Sequence, residues 1–374
     1  MNSTLAEHGR RTRRPLWRRR GLWLSVSAIV VLVAAAVIAG NRLFGTPHYR
    51  GPVSDHFNGS EFVNRRPIRE HSFGDLVRHI MAEAEAKWDD RTDNDSYPPP
   101  PERAERGELY VTFVGHSTVL IQMDGLNILT DPMWSERASP VSFIGPGRVR
   151  PAGVALGDLP PVDYVLLSHN HYDHMDLPTL RQLAEKHAMP IITGLGNTAF
   201  LDKKGVAGAR DFDWGDSLRL TEEVTLFVLP ARHFSGRGLT DHHRSLWVSF
   251  LLKGPAGAVY FAGDSGYDTH FARIGRRFGP IRLAILPIGC YLPDWFMGDV
   301  HLSPREALMV SAELRAPTAL AVHFGTFELG TDGQYQAAGE LQAGLEAAEG
   351  NSPGFWVLDF GEGRRVPPAD GASR

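Results

Sequence analysis

From residue 108 onward, apolar residues fall in short runs separated by polar, Gly- and Pro-containing segments, which is the pattern of successive strands. Leu109–Val114, Thr118–Met123 and Asn127–Thr130 read as a β-meander, with Asp124-Gly125 turning between the last two. Asp163–Leu167 is apolar after its first residue, as a strand covered on both faces would be. Further strands are predicted at Ile191–Thr193, Thr225–Leu229, Ser245–Leu252, Val259–Ala262, Leu283–Pro287, Ala319–Val322 and Phe355–Leu358. The period lengthens at Leu177–His187, where Leu177, Leu180, Leu183 and Ala184 lie on one helical face. Pro304–Leu314 and Tyr335–Ala348 are also predicted to be helical. Many strands with helices between them predict two sheets packed face to face with helices outside, an α/β (α+β) domain over residues 108–365.

The region before it has a different texture. Residues 46–107 are polar and irregular, with one predicted helix at Phe73–Trp88 and an extended polyproline stretch at Tyr97–Pro101. They are expected to form an arm or lid around the body. Residues 1–20 form a basic tail with seven arginines between positions 10 and 20, and Gly21–Gly40 follows without a charge. Twenty helical residues at 1.5 Å each span about 30 Å, the thickness of a bilayer core. The arginines predict a cytoplasmic tail and a body outside the cytoplasm, on the periplasmic side of a bacterial inner membrane. A cleaved signal at Ala34–Gly40 would instead give an exported soluble protein.

Charge and cysteine content narrow the chemistry. Residues 1–45 hold eight arginines and one acid, Glu7, so the rest of the chain is acidic by 11 charges although the whole carries only −4. That argues against nucleic acid as a partner, since polyphosphate binding needs a basic surface. A local basic patch is still compatible with this balance. The single cysteine, Cys290, follows an apolar run and reads as an inert buried thiol, which leaves no disulfide and no thiolate metal site.

The histidines carry the strongest signal. His169, His171, Asp173 and His174 fall within six residues directly after the apolar strand Asp163–Leu167. Imidazole and carboxylate donors without thiolates suit zinc, with manganese or iron as alternatives. Four ligands exceed what one zinc with an open position uses. His169 and His171 are therefore assigned to one metal, Asp173 and His174 to a second. His233, Asp264 and His323 each follow a separate predicted strand and supply the further ligands.

The spacing His-x-His-x-Asp-His, with His233, Asp264 and His323 in order, resembles the metallo-β-lactamase superfamily from about residue 108 to 330. Longer runs are similar to the N-acyl-phosphatidylethanolamine-hydrolysing phospholipase D family: Phe113–Leu120, Leu129–Pro132, Arg137–Pro140, Ser168–Asp176, Asp299–Pro304 and His323–Phe327. The resemblance implies an αββα sandwich whose first metal takes His169, His171 and His233. The second would take Asp173, His174 and His323, with Asp264 and a hydroxide bridging the two zinc ions. It further implies a phospholipase D-type phosphodiesterase acting on a membrane phospholipid at the lipid bilayer, with a lactonase or cyclic phosphodiesterase as the alternative. Asp173 would orient the hydroxide, and His301 would stabilise or protonate the leaving oxygen. His116 and Asp131 are expected to support the ligands from behind. His242 and His243 are read as loop residues. Trp134, Phe143, Trp295 and Phe296 are candidates for an acyl-chain groove. A homodimer is an admissible assembly.

Overall fold

In a computed structural model of the chain, residues 27, 31–32, 35, 37–82, 86–348 and 354–369 are described. Fourteen strands form two seven-stranded sheets. The first sheet runs β14-β1-β2-β3-β4-β5-β6, from β1 (Leu109–Gly115), β2 (Thr118–Met123), β3 (Leu126–Thr130), β4 (Tyr164–Leu167), β5 (Ile191–Gly194), β6 (Ala209–Phe212) and β14 (Gly363–Arg365). The second runs β13-β12-β11-β10-β9-β8-β7, from β7 (Ser217–Arg219), β8 (Thr225–Pro230), β9 (Val248–Gly254), β10 (Gly257–Phe261), β11 (Leu283–Pro287), β12 (Thr318–Val322) and β13 (Gly354–Trp356). Each sheet joins an antiparallel part to a parallel part. Besides a helical stretch at residues 37–44, the described helices are α1 (Phe73–Ile80), α2 (Leu177–His187), α3 (Asn197–Lys203), α4 (His270–Phe278), α5 (Asp294–Met297), α6 (Pro304–Glu313) and α7 (Gln336–Ala347).

Side-chain alternation along the strands explains the layers. Leu166 and Ile192 point between the sheets, where they meet Val228, Phe250, Phe261, Ile285 and Val322 of the second sheet. Their neighbours Val165, Leu167 and Ile191 point outward against Leu180 and Leu183 of α2 and Phe200 of α3. On the opposite outer face, Tyr260, Ala284 and Ala319 pack on Phe271 of α4, Val310 of α6 and Leu341 of α7. The result is the αββα sandwich implied by the sequence.

The structure differs from the sequence reading in definite places. The predicted helix Phe73–Trp88 ends at Ile80, with Met81 capping it. The strand predicted from Ser245 begins at Val248. Before that, Leu246 N–H bonds to Leu195 O, and Val248 N–H itself reaches Ser168 O, so this segment crosses to the first sheet. Strands β6, β7 and β14 were not predicted because they are short sheet-edge pieces with exposed charged residues. The predicted transmembrane helix lies mostly outside the described residues. Among the described residues, no helix is long and apolar enough to cross a membrane.

The described residues of the arm have little regular structure. Phe57 and Phe62 are buried in the inter-sheet core and pair through an isolated bridge. Elsewhere the arm is held by scattered polar bonds: Trp88 Nε1 donates to Asp332 O at 2.9 Å, Asn94 Nδ2 to Pro151 O at 2.9 Å, and Tyr97 Oη to Asp359 Oδ2 at 3.1 Å.

Candidate metal centre

β4, β8, β10 and β12 all run toward one edge of the sandwich, and the loops at their C-terminal ends carry the candidate ligands. His169–His174 follow β4 of the first sheet, while His233, Asp264 and His323 follow β8, β10 and β12 of the second. The seven side chains named from the sequence converge there. His169 Nε2 lies 2.8 Å from His171 Nδ1, and His233 Nε2 lies 3.2 Å from the same atom. Beside this trio, Asp173 Oδ2 is 3.2 Å from His174 Nε2 and 3.3 Å from His323 Nε2. Asp264 stands between the two groups. Its Oδ2 is 3.1 Å from His174 Nε2 and 3.2 Å from His323 Nε2, and 4.0 and 3.8 Å from the Nε2 atoms of His169 and His233.

These separations match donors around a shared cation, because ligands ~2.0–2.1 Å from a tetrahedral zinc lie about 3.3 Å apart. Hydrogen bonds among the groups satisfy only some of their atoms. His174 Nε2 and Asp264 Oδ1 are buried without a hydrogen-bond partner. Such orphaned atoms are costly unless something else satisfies them. The cluster can therefore hold metal ions.

Ring orientation is fixed from behind. His174 Nδ1 donates to Asp131 Oδ2 at 2.7 Å. Asp131 also accepts from Ser168 N–H at 2.7 Å and Ser168 Oγ at 2.6 Å, and that hydroxyl lies 2.9 Å from His169 Nδ1. His233 Nδ1 donates to Val300 O at 2.9 Å. In each case the far nitrogen is tied up and Nε2 is left facing the centre. His116 Nε2 contacts Asp173 Oδ2 at 2.9 Å, and its own carbonyl accepts from His323 N–H at 2.8 Å, linking two of the turns. His116, Asp131, Cys290 and His323 all have positive φ, so left-handed backbone is concentrated at this edge. Gly263 has φ +59°, and a Cβ there would meet Ser168 Cβ at 2.6 Å. Only glycine lets the Asp264 loop approach the first sheet this closely.

Electrostatics divides the cluster. Burial and the neighbouring imidazoles hold His169 well below the usual histidine range, and burial pushes His171 and His233 down to about 3. Neutral rings offer lone pairs. Burial opposes charge on Asp264 as well, yet His174 and His323 beside it hold its carboxyl well below the usual range. Asp173 is held low in the same way, by His174 and by hydrogen bonds from His116 and His323. Burial opposes charge on His174 and His323 too, but Asp264 and Asp173 raise His174 well above the usual histidine range and His323 to about 9, so protons on these two rings stand where a divalent cation would balance the carboxylates.

The centre forms the floor of a cleft of about 940 Å³ that opens at His171 and Asp173. His301 lines it, with Nδ1 unpartnered and 3.9 Å from Asp264 Oδ2. His242, His243 and Phe296 also line it, but Trp134 does not: its indole donates to Val154 O at 2.9 Å. Phe143 is exposed and Trp295 packs under Arg78. The arm contributes a whole wall, from Glu61 to Leu76. Asn64 in that wall was not singled out from the sequence. Its Nδ2 donates to His233 O at 2.8 Å, and its Oδ1 accepts from His233 N–H and Trp247 Nε1, each at 3.2 Å. Nothing in the polar arm sequence marks Asn64, because its role depends on a residue 169 positions away.

The β-lactamase superfamily domain matches residues 126–324. N-acyl-phosphatidylethanolamine-hydrolyzing phospholipase D 1 of Caenorhabditis elegans is 35% identical over 266 residues, covering 68% of this chain and 75% of the worm protein. The mitochondrial N-acyl-phosphatidylethanolamine-hydrolyzing phospholipase D of Saccharomyces cerevisiae is 36% identical, covering 61% of this chain and 49% of its own length. Among solved structures, a metallo hydrolase from the archaeon Ignicoccus hospitalis shares the fold at TM-score 0.53 and 20% identity, covering 70% of this chain and 99% of that one. With its ligand-bearing loops at one edge of an αββα sandwich, the chain belongs to the metallo-β-lactamase superfamily, as a metallo-hydrolase related to N-acyl-phosphatidylethanolamine-hydrolysing phospholipase D.

Proposed function

We propose that this protein is a dinuclear zinc phosphodiesterase of the phospholipase D type, acting on N-acyl-phosphatidylethanolamine-like lipids. The observation that carries this reading is the placement of Asp264 Oδ2 within 4.0 Å of both ligand groups, next to His323, which lines a largely apolar cleft with His171 and Asp173. His169, His171 and His233 would hold one ion, Asp173, His174 and His323 the other, and Asp264 both. Zinc at these positions supplies Lewis acidity, which makes a nucleophile from water near neutral pH and offsets phosphoryl charge.

The chain's own residues supply the rest. His116 fixes the free rotation of the Asp173 carboxylate, so that its other oxygen can orient a water. Burial pushes His301 down to about 3, which keeps it neutral, so it acts on the leaving oxygen as a hydrogen-bond donor. Val63, Ile68, Leu76, Phe296 and Leu329 give the cleft an apolar wall suited to acyl chains. In this reading Gly21–Gly40 anchors the chain at the bilayer with the body outside the cytoplasm. Residues 37–44 are helical and dock on the body: Asn41 Oδ1 accepts from Leu239 N–H at 3.0 Å, and Lys203 Nζ donates to Arg42 O at 2.9 Å.

The test is hydrolysis of N-acyl-phosphatidylethanolamine in mixed micelles by the zinc-loaded chain, with products resolved by mass spectrometry. Release of phosphatidic acid and N-acylethanolamine is expected. Turnover of lactones or cyclic phosphodiesters with the lipid left intact would replace this reading by a soluble-substrate hydrolase.

A further inference from the structure

A second pocket, of about 180 Å³, lies at the start of α4. It is smaller than the ~300–1,000 Å³ of sites for drug-sized ligands and several times the ~30 Å³ share of one water. Four guanidinium groups, from Arg65, Arg66, Arg232 and Arg273, line it. The only carboxylate in the lining is Asp268, whose Oδ1 already accepts from Thr269 N–H at 2.6 Å. Arg65 pairs with Asp55 and Arg232 with Asp299, but Arg66 and Arg273 have no ion-pair partner among the described residues.

Such a cluster stands out on a body acidic by 11 charges, because Arg66 and Arg273 add unpaired positive charge beside the two paired arginines and the cavity favours an anion. Arg232 is the anchor. It is only 5% exposed, and its Nε has no hydrogen-bond partner. A desolvated donor of that kind is costly without an acceptor. The first turn of α4, with no side-chain cap from Thr269, adds amide N–H groups and the positive end of the helix dipole.

We propose that this pocket binds a phosphate-type dianion, either free phosphate or a phosphomonoester headgroup, at a site separate from the metal centre. The two sites share a wall. Arg232 reaches from the pocket to Asp299 in the cleft lining at 2.7 Å, and Asn64 lines both cavities while bonding the His233 backbone. The proposal does not depend on which substrate the metal centre cleaves.

Titration of the metal-loaded full chain with inorganic phosphate, followed by calorimetry, tests it. The double variant Arg66→Glu/Arg273→Glu should lose at least tenfold in affinity at one site. Both side chains are exposed, and Arg273→Glu alone offers the same readout with the arm untouched. Arg273→Lys should retain binding, and Asp264→Ala should retain this site while altering the metal centre. Co-sedimentation with phosphatidylcholine vesicles, with and without phosphatidic acid, separates the two sources. Capture that weakens on charge reversal identifies a headgroup; an effect on inorganic phosphate alone identifies the free anion. Unchanged phosphate affinity in both charge-reversal variants, or loss of all phosphate binding in Asp264→Ala, overturns the proposal.

Discussion

The strand ends that carry His169–His174, His233, Asp264 and His323 face the arm of residues 46–107 across a single cleft, yet the two regions are held by different forces. The strand ends are extensions of a closely packed core: β4, β11 and β12 are almost wholly buried, and the loops leaving them have few ways to go. The arm has few buried anchors, among them Phe57, Phe62 and His56, and elsewhere is held by scattered hydrogen bonds and by ion pairs such as Arg103–Asp163 and Arg106–Glu223. A centre built on strands is rigid. A wall held by few buried contacts takes less free energy to open locally than the sheets do.

Four perturbations would break or sharpen that contrast. The largest effect is expected at Asp264, the residue that reaches both ligand groups. Asp264→Ala should remove about one metal per chain and lower turnover by at least about 10³-fold, the scale of losing a charge-stabilising group from a preorganised site. Elemental analysis with steady-state assays decides it, and retention of two metals with normal turnover would refute the bridging role. Behind the ligands, Asp131→Asn or His116→Ala should weaken metal retention by about 10–100-fold while leaving the fold intact. A chelator titration reads this directly, and an unchanged midpoint would mean that the rings orient themselves.

In the arm the effects should be smaller and of another kind. Asn64→Ala takes the acceptor from the His233 backbone N–H and the donor from the His233 carbonyl, while the Trp247 indole keeps Ala231 O, and should destabilise the chain by about 1–3 kcal/mol. Urea unfolding measures it, and a loss of metal without loss of stability would place Asn64 in the centre instead. The smallest effect is a pH dependence at His56, which is buried between Asp213 and Asp55 with nitrogens 2.6 and 2.5 Å from their carboxylates. Burial disfavours its charge, but the two carboxylates outweigh this and raise its pKa above the usual histidine value. A raised pKa means that the stabilisation is complete below about pH 6.5 and is lost as pH rises through the folded-state value. Hydrogen-exchange protection factors of the arm, which correct for base catalysis of the intrinsic exchange, should therefore fall on the alkaline side, and His56→Gln should flatten that response. Equal protection factors at pH 6 and 9 in the native chain would show that His56 does not hold the arm.

The same contrast explains what the sequence made legible. Buried strands leave an unbroken apolar run, and a ligand that must follow such a strand sits at a readable position; His323 after Thr318–Val322 is one case. Helix α4 left a fainter signal in Phe271, Ile274 and Phe278 at helical spacing, obscured by Gly275 and three arginines. Edge strands such as Gly363–Arg365 leave none, because one face and one edge meet water. Asn64, Ser168 and Arg232 were unreadable for another reason. Each acts by bonding a partner distant in sequence, and no local pattern encodes such a bond.

One consequence follows from how the ligands are divided between the halves of the sandwich. His169, His171, Asp173 and His174 follow a strand of the first sheet, and His233, Asp264 and His323 follow strands of the second, so ions held by all seven would join the two halves. An ion that binds only the assembled protein adds about 2.7 kcal/mol to its stability when free metal exceeds the dissociation constant a hundredfold. The lifetime of this protein in a cell would then follow metal supply. In metal-starved cells the halves would part more often and proteases would remove the chain, so its abundance would fall along with its activity.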